Sequence, residues 1–218
     1  MKVAAVIFDM DGLLLDTERV GFDASVYACK ELGYRMDLAF FRTTIGFPEE
    51  VNDVSLVKHF GNGFLVSEYH RHRLSYLKRE LGAGVPLKKG AIQLIDHLSS
   101  RKIKKGVATS SRRRDALHCL RSAGVLDCFD CLVTRSDVRN GKPHPETYVQ
   151  ATDRLELAPE CCLALEDSET GARAALSAGI RTILIPDMKE PEQELVDQCL
   201  DTVASLQFLY ENRACYDL

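Results

Sequence analysis

Two hydrophobic patterns divide the chain. From about residue 87 onward, short apolar runs rich in β-favouring residues alternate with stretches of helical period: KKGVATS, RRDALHCLRSAG, DCLVT, PETYVQATDRL, CLALE, TGARAALSAG and RTILI. Strands separated by helical patterns of about 10–15 residues predict βαβ units and a mostly parallel sheet. VAAVIF, at residues 3–8, adds one more strand. It has no polar position, as expected of a strand covered by helices on both faces. Gly124 and Gly179 stand where their helices should stop, in a capping position that glycine fills without steric cost.

Residues 17–86 read differently. Helical periodicity runs through ERVGFDASVYACKELG, PEEVNDVSLVKHF and FLVSEYHRHRLSYLKRELG, with no comparable β run. The economical interpretation is a helical insertion after the first strand, bordered by the DTE turn and by LGAGVPLKKG, whose glycines and Pro86 mark a link. The expected architecture is an α/β, Rossmann-like, doubly wound parallel-sheet core made of residues 1–16 and 87–218, with an inserted α-helical cap domain at 17–86.

Composition narrows the function classes. The chain has 218 residues, 45% hydrophobic and 28% charged, the balance of a globular protein able to bury a real core. A net charge of −4 argues against nucleic acid or an anionic membrane as partner, and the basic clusters in HRHRLSYLKR and SSRRR read as solvated helix faces. Runs such as VAAVIF and TILI fall far short of the ~20 residues a membrane helix requires. Asp9 and Asp11 arrive before an apolar segment long enough for a signal peptide, so a cytoplasmic protein is expected; it is also expected to be a monomer. The eight cysteines then read as buried, reduced thiols, since CFDC at 128–131 has no second pair to complete a zinc site.

The strand ends carry the candidate chemistry, because ligands of open α/β sheets bind beyond the carboxyl ends of the strands. VAAVIF runs straight into Asp9 and Asp11, KKGVA into Thr109 and Ser110, and CLALE ends in Glu166 and Asp167; Lys142 precedes two prolines in GKPHPE. Two carboxylates at a strand tip lose hydration and raise each other's pKa, an arrangement that calls for a cation. Asp9, Glu166 and Asp167 supply hard oxygen ligands suited to Mg2+. One carboxylate can attack phosphorus as a nucleophile, and the second can serve as general acid and then as base toward water. Lys142 and the Thr109 hydroxyl would hold phosphate oxygens.

The ordered set DxDG followed by Thr, a hydrophobic strand ending in Thr or Ser, Lys before Pro, and an acidic pair ending a later strand resembles the haloacid-dehalogenase-like superfamily. FDMDGLLLDTE and GKPHPETY narrow the resemblance to the group containing β-phosphoglucomutase, phosphoglycolate phosphatase and other small-metabolite phosphatases. The resemblance spans nearly the whole chain. It implies that Asp9 is the nucleophile and a metal ligand, and that Asp11 is the acid/base and lends its backbone carbonyl to Mg2+. Thr109 would bind phosphate with help from Ser110, Lys142 would tie the nucleophile to the phosphoryl group, and Glu166 and Asp167 would complete the metal shell. Thr17 would hydrogen-bond Asp11. Two plainer readings stand beside these: Glu166 as a salt-bridge partner and not a ligand, and Thr17 as a helix N-cap.

Three positions depart from the mutase pattern within that group. Gly21 stands where the mutase has a cap histidine, Ile45 stands before Gly46 where it has a lysine, and Glu49 replaces its arginine. These changes remove the groups that would hold a bisphosphate. The expected activity is Mg2+-dependent hydrolysis of a sugar phosphate or a nucleoside or pseudouridine monophosphate through an aspartyl-phosphate. The alternatives are a phosphosugar mutase and a non-catalytic phosphometabolite sensor.

Overall fold

The computed structural model describes residues 2–45, 49–81 and 84–218. In chain order the elements are β1 (Ala5–Phe8); helices α1 (Thr17–Glu31), α2 (Leu38–Thr44), α3 (Glu49–Phe60), α4 (Val66–Leu81) and α5 (Ala91–Ser100); β2 (Lys104–Ala108); α6 (Arg113–Ser122); β3 (Cys131–Val133); α7 (Glu146–Leu155); β4 (Cys162–Glu166); α8 (Glu169–Ser177); β5 (Arg181–Leu184); α9 (Gln193–Val196); β6 (Asp201–Thr202); and α10 (Leu206–Glu211). The chain forms two compact units, Met1–Asp16 with Val85–Leu218, and Thr17–Gly84.

The first unit is built on a parallel six-stranded sheet of order β3-β2-β1-β4-β5-β6. Its five longer strands coincide with the five apolar runs of the sequence. The sixth is two residues long and carries no periodic signal. β1 is fully buried at the centre, where the strand order reverses. Phe8 pairs with Val107 on one side and Leu165 on the other, so the residues that follow, Asp9, Ala108 and Glu166, emerge side by side from three adjacent strands.

One face of the sheet is covered by α7 and α8, whose Tyr148, Ala151, Leu155 and Ala174 pack with Ile7 and Ala164. Both predicted glycine caps form. Gly124 and Gly179 adopt φ of 73° and 77°, and each donates its N–H to the carbonyl three residues back, Arg121 and Leu176. Helices α2, α5, α9 and α10 lie outside the stretches the periodicity marks as helical.

The unit resumes at Val85, two residues before the boundary read from sequence. Val85 is buried, and the Pro86 carbonyl accepts the Asp16 N–H at 2.9 Å. Lys88 reinforces the junction by bridging Asp16 at 3.0 Å and Asp187 at 2.6 Å. Gly82 and Ala83 of the predicted link lie outside the described residues.

The second unit is helical. Tyr34, Phe40, Phe60 and Phe64 form a half-buried aromatic cluster in which Phe64 is the buried member, and the Tyr69 hydroxyl on α4 donates to Ser25 Oγ on α1 at 2.9 Å. Asp37 caps α2 by accepting the Phe40 N–H. No helix among the described residues is long and apolar enough to cross a membrane. All eight cysteines are unpaired, but only Cys29 and Cys162 are buried, and Cys215 is exposed. An apolar neighbourhood in sequence therefore overstated their burial, because several lie in connecting segments that run over the surface.

Candidate active site

Asp9 continues the ladder by one residue, its N–H donating to the Leu165 carbonyl at 2.9 Å, which fixes its Cα at the tip of the central strand. The chain then turns tightly, with Leu14 and Leu15 N–H groups converging on the Met10 carbonyl, and Asp11 is carried on this turn. Its Oδ2 accepts from Ser111 Oγ at 2.7 Å and, more weakly, from Thr109 Oγ1 at 3.4 Å. Thr109 is buried beyond the end of β2 and also accepts the Ser111 N–H.

Lys142 reaches in from the loop before α7. Its side chain is 3% exposed, and its ammonium donates to Asp9 Oδ1 (2.6 Å), Glu166 Oε1 (2.5 Å) and the Ala108 carbonyl (2.9 Å), one acceptor for each N–H. Glu166 is fully buried and satisfied on both oxygens. Oε1 also accepts from the Tyr148 hydroxyl at 2.7 Å, and Oε2 from Ser168 Oγ at 3.1 Å. Ser168 in turn caps α8 by accepting the Gly171 N–H. A Cβ on Gly171 would lie 1.9 Å from Glu166 Oε1, so glycine is what allows α8 to pass beside this carboxylate.

Electrostatics follow from burial. Desolvation pushes Asp9 up to about 8, with Glu166 and Asp11 adding to the rise and Lys142 opposing it. Burial works against the charge on Lys142, but the carboxylates of Asp9 and Glu166 outweigh it and hold the ammonium above its ordinary value. Carboxylate oxygens of Asp9, Glu166 and Asp167 lie within 4.8 Å of one another. The three side chains offer only oxygen donors. That set fits a hard divalent cation.

The structure thus brings together Asp9, Asp11, Thr109, Lys142, Glu166 and Asp167. Ser110 is exposed, and it is its neighbour Ser111 that touches Asp11. Thr17 opens α1 in the other unit, where its hydroxyl is buried with no hydrogen-bond partner among the described residues. Sequence reasoning passed over Ser111, Tyr148, Ser168 and Gly171. Of these, only Gly171 carries a sequence signal, since a glycine inside an otherwise alanine-rich helix costs roughly 0.5–1 kcal/mol relative to alanine and calls for a reason.

Comparison with known proteins places these residues in context. The family described as Haloacid dehalogenase-like hydrolase matches residues 6–185. A phosphorylated carbohydrates phosphatase of Thermotoga maritima is 34% identical over 179 residues, 82% of this chain and 83% of its own. A Drosophila melanogaster protein named as a probable pseudouridine-5'-phosphatase is 32% identical over 213 residues, 94% of this chain and 90% of its own. The solved structure of a Thermotoga maritima protein, provisionally described as a beta-phosphoglucomutase, superposes with a TM-score of 0.83 over the full length of both chains at 29% identity.

Two outcomes are expected of the site. Asp9 is raised in the fold from 3.8 to about 8, so the folded chain binds a proton that the unfolded chain releases between those values, and the stability this contributes is lost as pH climbs through that window. In chelator, the melting temperature should fall between about pH 5 and 8, and Asp9→Asn should remove this slope; equally steep profiles would refute it. Gly171→Ala should displace Glu166 and lower turnover about 10- to 100-fold, the usual scale for loss of a group that orients a site, with α8 still folded by circular dichroism. Unchanged turnover would mean that Glu166 tolerates displacement.

Proposed function

Because the chain belongs to the haloacid dehalogenase-like hydrolases, we propose that it is a divalent-cation-dependent phosphatase of small phosphorylated metabolites, with phosphorylated carbohydrates the favoured class. The observation that carries this reading is Asp9 itself, a carboxylate at the tip of the central strand shared between Lys142 and an acidic cluster sized for a cation. The two phosphatase relatives support phosphate monoesters as substrates.

Asp9 would attack phosphorus, forming a bond from its carboxylate oxygen as the bond from phosphorus to the alcohol oxygen breaks. Asp11 would give its proton to that departing oxygen. It would then take a proton from water, whose oxygen attacks the phospho-Asp9, releasing inorganic phosphate and restoring the carboxylate. The Ser111 hydroxyl holds Asp11 in place for both transfers. Lys142 keeps Asp9 oriented, and Thr109 with Ser110 would meet the phosphate oxygens. Asp9, Asp167, Glu166 and the Asp11 carbonyl would hold Mg2+, which when bound offsets the crowded negative charge and the charge on the phosphoryl oxygens.

A mutase is the second reading, favoured by the full-length superposition on the Thermotoga structure. Against it stand Gly21, Ile45 and Glu49, which supply no basic group for a second phosphate; Gly46 lies outside the described residues. A panel of phosphorylated metabolites separates the two: phosphate release with Mg2+, abolished by chelator, is expected, and efficient interconversion of β-glucose 1-phosphate and glucose 6-phosphate would overturn the phosphatase assignment.

The two acids should also part company. Asp9→Asn should form no trappable phosphoenzyme. Asp11→Asn should show a burst on an aryl phosphate, whose leaving group needs little protonation, followed by slow turnover. Identical behaviour of both variants, or label on Asp11, would show the roles to be wrong.

A further inference from the structure

Two buried carboxylates compete for one ammonium at the tip of the sheet. Lys142 Nζ stands 2.6 Å from Asp9 Oδ1 and 2.5 Å from Glu166 Oε1, so whatever else holds that Glu166 oxygen decides how firmly Lys142 is drawn away from Asp9. The group that holds it is the Tyr148 hydroxyl, which donates to the same Oε1 at 2.7 Å.

Helical pattern explains the aromatic ring at position 148 but not its hydroxyl. Tyr148 lies in the first turn of α7, and with Ala151 and Leu155 it forms the buried stripe that packs with Ile7 and Ala164 of the sheet. Phenylalanine would fill that stripe as well. The side chain is completely buried, so the hydroxyl is an added polar atom that has to find a partner. The acceptor it takes is the one carboxylate oxygen that also holds the lysine. The ring serves the same pair, since Lys142 Nζ lies 5.0 Å from its centroid, within reach of the negative ring face. One side chain thus touches both members of the Lys142–Glu166 pair.

An ammonium is a compact charge on a flexible stem with three rotatable donors, so its resting place is the balance of its acceptors. For Lys142 these are Asp9, Glu166 and the Ala108 carbonyl. With the phenol in place, Glu166 Oε1 shares its charge between two donors and competes less for the ammonium. With the phenol removed, a buried carboxylate oxygen loses a hydrogen bond and draws the ammonium toward itself, away from Asp9.

We propose that Tyr148 is a positioning residue for Asp9: by occupying Glu166 Oε1 and lying against the Lys142 ammonium, it fixes how Lys142 is divided between the two carboxylates and so holds the Asp9 carboxylate in one orientation. The positioning stands on the geometry of the core unit alone; its consequence for turnover rests on the phosphatase reading.

The test compares the full chain with Tyr148→Phe, which keeps the ring and removes only the hydroxyl. Crystal structures of the two should show the Lys142 ammonium shifted off Asp9 toward Glu166 in the variant, with the fold unchanged. Binding of Mn2+ alone, followed by its electron paramagnetic resonance signal, should weaken about tenfold, the low end of what loss of a group that orients metal ligands brings. In turnover with Mg2+, kcat should fall about tenfold while KM stays within about twofold, on aryl and alkyl phosphates alike, because the change acts on the nucleophile and not on the departing oxygen. A double-mutant cycle checks the route: in Glu166→Gln, whose neutral amide no longer rivals Asp9 for the ammonium, Tyr148→Phe should weaken Mn2+ by less than about twofold further. An unmoved Lys142, full additivity in the cycle, or a loss of turnover confined to alkyl phosphates overturns the proposal. A Tyr148→Phe chain that does not fold overturns it as well, because the hydroxyl is then structural. A wild-type chain that releases phosphate from no ester counts against the phosphatase reading, and the crystal structures still decide the positioning.

Discussion

The core unit depends on one buried ammonium. Lys142 is shared by Asp9, Glu166 and the Ala108 carbonyl, one acceptor for each of its N–H groups. An isolated carboxylate in such a place would neutralise or draw in water; an ammonium with three acceptors in good geometry keeps the cluster dry and ionisable. Much of the surrounding sequence serves that arrangement. Tyr148 and Ser168 occupy the remaining lone pairs of Glu166, and Gly171 leaves room for that carboxylate beside α8.

Lys142 opposes the crowding of acids, but burial still drives Asp9 up to about 8. A stabilised core would have no such group. A carboxylate perturbed this far at a strand tip marks a candidate functional site, and a bound cation would offset the crowding.

The helical unit follows a different rule. Its aromatic cluster packs without buried charge, and its polar features line a cavity of their own. The departures at Gly21, Ile45 and Glu49 belong to this unit, while the core residues follow the family pattern. The departures and the family motifs thus lie in different units of the chain, which allows one set to vary while the other is kept.

What the sequence determined by itself was whatever is written in contiguous residues. The five apolar runs, the glycine caps, the helical insertion and the acids at the strand ends all follow from local pattern, because strand burial, left-handed caps and the carboxyl-end rule each act over a few residues. The sequence also singled out Asp9, Asp11, Thr109 and Lys142 as candidates, and the fold brings them together. Only the tertiary structure decided which groups share a proton or a charge. Register between β1, β2 and β4 brings Glu166 to Lys142; Ser111, and not Ser110, meets Asp11; and Tyr148 and Gly171 acquire their reasons from a carboxylate distant in sequence. Such pairings depend on backbone register and side-chain direction across more than a hundred residues in some cases, and no local pattern encodes a contact whose partner lies in another strand.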